Sequence, residues 1–170
     1  MEAVIKHKRH TAVLHVSGTP MGINYNIDML RDYHVRVKGW SDIGYHYFID
    51  EQGELFEARP LNRNGAHVKG HNRGTIGICV AGGLDKNKLP SDTMTGKQQF
   101  IVEALLLALK KGNPNMKVKG HRDYSKDSNN NGIIEPFEYI KFCPGYNAEE
   151  RFAIFNKSLE TILKRLDGKN

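Results

Sequence analysis

Thr75-Ile76-Gly77-Ile78-Cys79-Val80 is a short apolar run rich in β-branched residues, closed by Gly82-Gly83. Its apolar character is continuous rather than alternating. That predicts a strand covered on both faces, and so one in the middle of a sheet. Working outward, Thr11-Ala12-Val13-Leu14-His15-Val16-Ser17 reads as a second strand, ended by Gly18-Thr19-Pro20. Tyr45 to Asp50, a turn at Glu51-Gln52-Gly53 and Glu54 to Ala58 read as a hairpin. Met116-Lys117-Val118-Lys119-Gly120 reads as a short strand that delivers His121.

Between these lie helical patterns. Asn26 is an N-cap candidate, and Ile27, Leu30, His34 and Val37 recur at helical spacing to about Lys38, where Gly39 offers a left-handed stop. Thr95 and Gln98 form a capping box that opens a helix to about Lys111. Its apolar positions are Ile101, Leu105 and Ala108, widened by Leu106 and Leu109. Asn147 caps a last helix whose face is Phe152, Phe155, Leu159, Ile162 and Leu166. Strands alternating with helices, plus one hairpin, predict an α/β fold: a single domain with a central mixed β-sheet flanked by helices. The expected domain spans residues 1–170, with its core at about 10–166 and an insertion at about 123–142.

Bulk composition sets limits. The chain has 170 residues, 39% hydrophobic and 26% charged, which fits one ordinary globular domain. No apolar run is long enough for a transmembrane helix, so no membrane insertion is expected. Met1 to Lys8 lacks the apolar core of a secretory signal, which predicts cytoplasmic synthesis. A formal charge of +6 favours an anionic partner: nucleic acid, membrane surface or an acidic wall polymer. The basic residues are scattered and interleaved aromatics are absent, so no nucleic-acid partner is expected. Two cysteines are too few for a disulfide framework. Cys79 sits in the buried run as a small hydrophobe, whereas Cys143, before Pro144-Gly145, has no such excuse.

His15 ends one strand, His121 ends another, and Cys143 follows the insertion. The carboxyl ends of strands are where sites gather in open α/β sheets. Two imidazoles and a thiolate make three zinc ligands with a fourth position open, the arrangement of a catalytic rather than a structural zinc. The alternative is a core or surface His15 with Cys143 as bystander, and spacing alone does not choose between them.

Longer motifs surround these residues in order: Leu14-His15-Val16-Ser17-Gly18-Thr19-Pro20, Gly39-Trp40-Ser41-Asp42-Ile43-Gly44-Tyr45-His46-Tyr47, Gly65-Ala66-His67-Val68-Lys69-Gly70-His71-Asn72, Ile76 to Gly83, Gly120-His121-Arg122-Asp123 and Cys143-Pro144-Gly145-Tyr146. The series resembles the zinc-dependent N-acetylmuramoyl-L-alanine amidases of the type 2 family. That family includes amidase-type phage lysozymes (endolysins) and is related to the peptidoglycan recognition proteins. The resemblance spans about residues 10–165. It implies zinc (Zn2+) on His15, His121 and Cys143, with Tyr45 and Lys141 assisting catalysis. It also implies hydrolysis of the amide between the N-acetylmuramic acid lactyl group and L-alanine by a zinc-activated water. Some relatives carry a Glu as base where Cys79 stands here, which puts a Glu-based proton shuttle in doubt and points to the phage-lysozyme branch.

The implied partner is peptidoglycan, met by a monomer after release or membrane permeabilisation. A non-catalytic peptidoglycan-binding module, a secreted toxin and a wall-recycling amidase stay as other readings. His67, Lys69, Asn72 and Arg73 lie in a polar loop read as a groove wall for the stem peptide or glycan, against the plainer reading of a solvated loop. His46 reads as structural, and His7, His10 and His34 as bystanders. Lastly, Asp127 to Glu138 fits the EF-hand template: Asp127, Asn129 and Asn131, Gly132 at the turn, the Ile133 carbonyl, then Glu135 and Glu138. That predicts a weak calcium (Ca2+) site, against an Asn/Gly-rich surface turn.

Overall fold

A computed structural model describes residues 9–168. The expectations placed on the amino-terminal segment, its lack of an apolar leader and His7 as a bystander, lie outside the described residues. The chain runs β1 (Thr11–Val16), β2 (Thr19–Pro20), α1 (Ile27–Asp32), β3 (Tyr47–Ile49), β4 (Leu55–Glu57), β5 (Thr75–Val80), β6 (Gly83–Leu84), α2 (Gly96–Gly112), β7 (Lys117–Gly120), α3 (Ala148–Arg151) and α4 (Leu159–Leu166). Five strands make the main sheet in the order β4-β3-β5-β1-β7. β3, β5, β1 and β7 are parallel, and β4 closes the edge as an antiparallel hairpin partner. The α/β fold with a mixed sheet is therefore as predicted, with Thr75–Val80 at its centre and buried throughout.

Strand alternation assigns the two faces. Ala12, Leu14, Ile76, Ile78, Val80, Tyr47 and Ile49 point to one side, where they pack with Val102, Leu105 and Leu106 of α2 and with Phe152, Phe155 and Ile162. Cys79 and Phe48 point to the other side, under Tyr25, Leu30 and Ile43. His15 pairs in register with Cys79 on β5, so it stands on this second face. Gly77, two residues before Cys79, leaves a gap there.

Three elements differ from expectation. The first helix leaves α-geometry at Tyr33 and runs as a π-helical turn over Tyr33–Val37, with the Lys38 N–H bonded to the Tyr33 carbonyl. α2 is rotated: Ala108 is exposed, and Val102 takes its place in the core. The cause is Gln98, fully buried because its amide donates to the carbonyls of Asp50 and Ala81 at 2.9 and 3.0 Å. The expected last helix is broken into α3, a 3-10 turn (Ala153–Asn156) and α4. β7 is an edge strand, and the Asn156 side chain pairs with both the N–H and the carbonyl of Val118, at 2.7 and 3.2 Å. Satisfying that edge holds the chain out of a continuous helix, and Ser158 then caps α4.

Candidate metal centre and active site

Local structure delivers the three candidate ligands. His15 is the fifth residue of β1, only 1% exposed. His121 follows β7 directly, opening a 3-10 turn whose N-cap residue, Gly120, donates its N–H to the Asp123 carboxylate at 2.6 Å. The long excursion after it returns to its start: the Arg122 N–H bonds the Cys143 carbonyl at 2.9 Å. That closure sets Cys143 beside His121. Among the described residues, His15, His121 and Cys143 are the one group of His, Cys, Asp or Glu side chains whose ligand atoms gather in threes, all within 4.8 Å.

The donor set fits zinc. His15 Nδ1 lies 3.8 Å from Cys143 Sγ. A tetrahedral zinc with ordinary Zn–N and Zn–S bonds sets such a pair about 3.6 Å apart. The His15 and His121 rings are 4.8 Å apart. Burial, with Lys141 nearby, lowers the pKa of His121 to about 4, and burial, then His67, His121 and Lys141, drive that of His15 well below its ordinary value. Both imidazoles therefore present bare nitrogen at neutral pH. Burial pushes the Cys143 thiol up to about 11, opposed by the Val16 N–H at 3.3 Å and by Lys141.

These groups form one end of a cavity of about 440 Å³. Tyr45, His67, Lys141 and Phe142 line it, and so do Tyr33, His34, Lys38 and Trp40 from the α1 side. Among the described residues no Asp or Glu lines it, and the formal charges there are those of Lys38 and Lys141. Tyr45 lies just before β3, yet its carbonyl still accepts from the Arg59 N–H. Its ring centroid is 5.0 Å from that of His15, and it packs against the apolar cluster that holds Cys79. Burial, and the sulfurs of Cys79 and Cys143, raise this phenol well above its usual range. Cys79, where some relatives have a carboxylate, is a fully buried thiol raised in the same way, so it stays neutral.

The polar loop divides. His67 is buried at the cavity floor, its Nδ1 3.0 Å from His15 Nε2. The Asn72 side-chain oxygen accepts from the N–H groups of His67 and Val68, at 2.8 and 2.9 Å, so Asn72 shapes the loop. Lys69 and Arg73 are exposed and outside the cavity lining. His46 is structural: its Nδ1 accepts from the Gly77 N–H, and its Nε2 donates to the Arg63 carbonyl, both at 3.0 Å. His34, expected to be a bystander, is buried in the cavity wall. Its Nδ1 accepts from the Gly44 N–H at 3.1 Å and its ring packs on Trp40. The signal was present: His34 stands four residues after Leu30, on the buried stripe of the helix, and π-turns often mark functional positions.

The Asp127–Glu138 template is met by a loop closed on itself. Glu138 accepts from the Ser128 and Glu135 N–H groups at 2.6 and 3.0 Å, and from the Ser128 hydroxyl. Asp127 accepts from the Asn131 and Gly132 N–H groups. Glu135 accepts from the Asn129 and Asn131 amides. Asn131 accepts from the Ile133 N–H. Backbone and side-chain donors of the loop itself thus bond these carboxylates.

With this geometry in place, the comparisons are specific. Residues 6–132 match the family model for N-acetylmuramoyl-L-alanine amidase. The endolysin of Enterobacteria phage K11 is 30% identical over 110 residues, which cover 65% of this chain and 72% of that protein. Two solved structures share the fold. One is the N-acetylmuramoyl-L-alanine amidase LysC from Clostridium intestinale (TM-score 0.65, 23% identity, 93% of this chain and 87% of that chain). The other is bumblebee PGRP-SA (TM-score 0.66, 22% identity, 88% and 83%). The chain belongs to the N-acetylmuramoyl-L-alanine amidase family. Its reaction is hydrolysis of the amide between the N-acetylmuramic acid lactyl group and L-alanine in peptidoglycan. Lys141 and Cys143 lie beyond the matched segment, and the Arg122–Cys143 hydrogen bond brings that part of the chain back to it.

Proposed function

We propose that this amidase is zinc-dependent, that its zinc is held by His15, His121 and Cys143, and that it acts as a phage-type endolysin. The observation that carries the reading is the three-ligand cluster at one end of a cavity with two lysines and no carboxylate. Zinc bound there supplies a Lewis acid and lowers the pKa of a bound water toward neutrality. The chain's own residues do the rest. Lys141 brings a positive charge beside His15 and His121, where it meets the oxygen of the amide as negative charge develops. Tyr45, kept protonated by burial, donates a hydrogen bond to that oxygen, and Tyr45 or a water gives the leaving amine its proton. Lys38 and Trp40 line the far wall and receive the anionic stem peptide.

Curated relatives named endolysins support the setting. No helix among the described residues is long and apolar enough to cross a membrane. Kinship with peptidoglycan recognition proteins raises a pure binding module as a second reading. The convergence of Cys143 with both histidines and Lys141 favours catalysis, since holding a glycan needs no metal. Calcium is no part of the proposed reaction.

Digestion of purified peptidoglycan distinguishes these readings. New L-alanine amino termini, without new reducing sugars, are expected. Reducing ends would instead mean glycan cleavage, and binding without either product would leave a recognition module.

A further inference from the structure

Behind His15 lies a chain of buried polar groups that the reaction itself does not use. His15 Nε2 is 3.0 Å from His67 Nδ1, and His67 Nε2 is 3.3 Å from the Thr75 hydroxyl. That hydroxyl is in turn 2.9 Å from the His71 carbonyl and 3.1 Å from the Asn72 carbonyl. His15, His67 and Thr75 are 1%, 8% and 2% exposed, so water does not substitute for a missing partner.

The far end sets the direction of every bond. Carbonyls only accept, so the single Thr75 proton goes to one of them. The Thr75 oxygen must then accept, which requires N–H at His67 Nε2. His67 Nδ1 is left bare and accepts from His15 Nε2–H. The remaining nitrogen of His15, Nδ1, is the one 3.8 Å from Cys143 Sγ, and it is left with a free lone pair. The reversed order would put a proton on that nitrogen, toward the metal position, and leave both carbonyls without the Thr75 proton.

The His67 ring is also fixed in place. A Cβ at Gly77 would come within 2.6 Å of it, so this point of the central strand admits only glycine beneath the ring. Asn72 clamps the His67 N–H at 2.8 Å.

We infer that Thr75 and His67 form a one-way hydrogen-bond relay that sets the tautomer of His15, making both positioning residues for this ligand. The inference rests on His15 being a zinc ligand. It changes the role of His67 from groove wall to orienting partner. Partners of this kind are worth about ten- to a hundredfold in metal affinity.

The test uses Thr75→Val, which keeps the shape and removes the hydroxyl, with Thr75→Ser as rescue. In 15N-labelled metal-free protein, long-range 1H–15N spectra of the imidazoles should show His15 and His67 each carrying N–H at Nε2. Thr75→Val should shift both rings toward the other tautomer and weaken zinc about tenfold or more in a chelator competition. Thr75→Ser should restore both. Wild-type His15 protonated at Nδ1, or unchanged tautomers and zinc affinity in a folded Thr75→Val protein, would overturn the relay. His15→Ala is the separate control: zinc binding equal to wild type in that variant would reject the ligand assignment itself, whatever the tautomers show.

Discussion

His46 illustrates how a single buried side chain reports on this site. It is 1% exposed, and burial lowers it from 6.5 to about 4. As pH falls, the unfolded chain takes up the proton first, so folding is stabilised fully above about 6.5 and progressively less down to about 4. A gap of that size corresponds to about 3 kcal/mol for this one group. His34 and His67, lowered to about 4 and about 3, add to the same slope. Urea midpoints of the metal-free protein should therefore drop between pH 7 and pH 4.5, and His46→Gln should drop less; equal slopes would contradict a neutral buried His46. Catalytic side chains predict a different signature. Lys141→Ala and Tyr45→Phe should each lower kcat by about 10²–10³ while zinc content stays at wild type, and a loss of zinc instead would make either residue a support for the metal. At this scale the sequence was informative about identity and poor about partners. His15, His121 and Cys143 were legible because strand ends and motif order place them. That His67 packs over β5 against His15, at the floor of the cavity, was not legible, because it depends on a gap at Gly77 on another element. The buried position of His34 is legible in its four-residue spacing from buried Leu30.

Elements with strong local signals formed as expected. β5 was readable from its continuous apolar run, and α2 from its capping box, in which the Thr95 hydroxyl accepts from the Gln98 N–H and Gln98 bonds back. Thr95→Ala should lower stability by about 1 kcal/mol, with activity per folded molecule unchanged; chemical denaturation with a parallel assay checks both halves. Gly77→Ala belongs to the opposite class. The new methyl would meet His67 at 2.6 Å in the middle of β5. A loss of about 1–3 kcal/mol is expected together with weaker zinc binding, and stability lost with zinc affinity intact would detach His67 from the metal site. The signal that misled, in the last helix, was real but local. The face from Phe152 to Leu166 has helical period, yet Asn156 is held by an unpaired strand edge that no short window contains. The Asp127–Glu138 loop carries the template of a calcium site, and its Glu138 and Asp127 oxygens accept hydrogen bonds from the loop's own backbone.

For the molecule as a whole, charge and topology converge on one end of the sheet. The formal +6 could not choose among anionic partners, but the cavity gives it an address: Lys38 and Lys141 line the same space, and among the described residues no acid does. Lys38→Glu should raise KM for muropeptides with free carboxylates much more than it lowers kcat, an effect that shrinks at high salt. A KM unchanged with such substrates would remove Lys38 from the binding wall. The parallel β5–β1–β7 core brings His15 and His121 to neighbouring strand ends, and the excursion after His121 returns Cys143 to meet them. A catalytic zinc at that convergence predicts that the reaction depends on metal. Enzyme stripped with a chelator and dialysed should release no L-alanine amino termini from peptidoglycan. One equivalent of zinc should restore the wild type and fail to restore Cys143→Ser. Full activity in the stripped enzyme, or in Cys143→Ser without added metal, would contradict a catalytic zinc at this site.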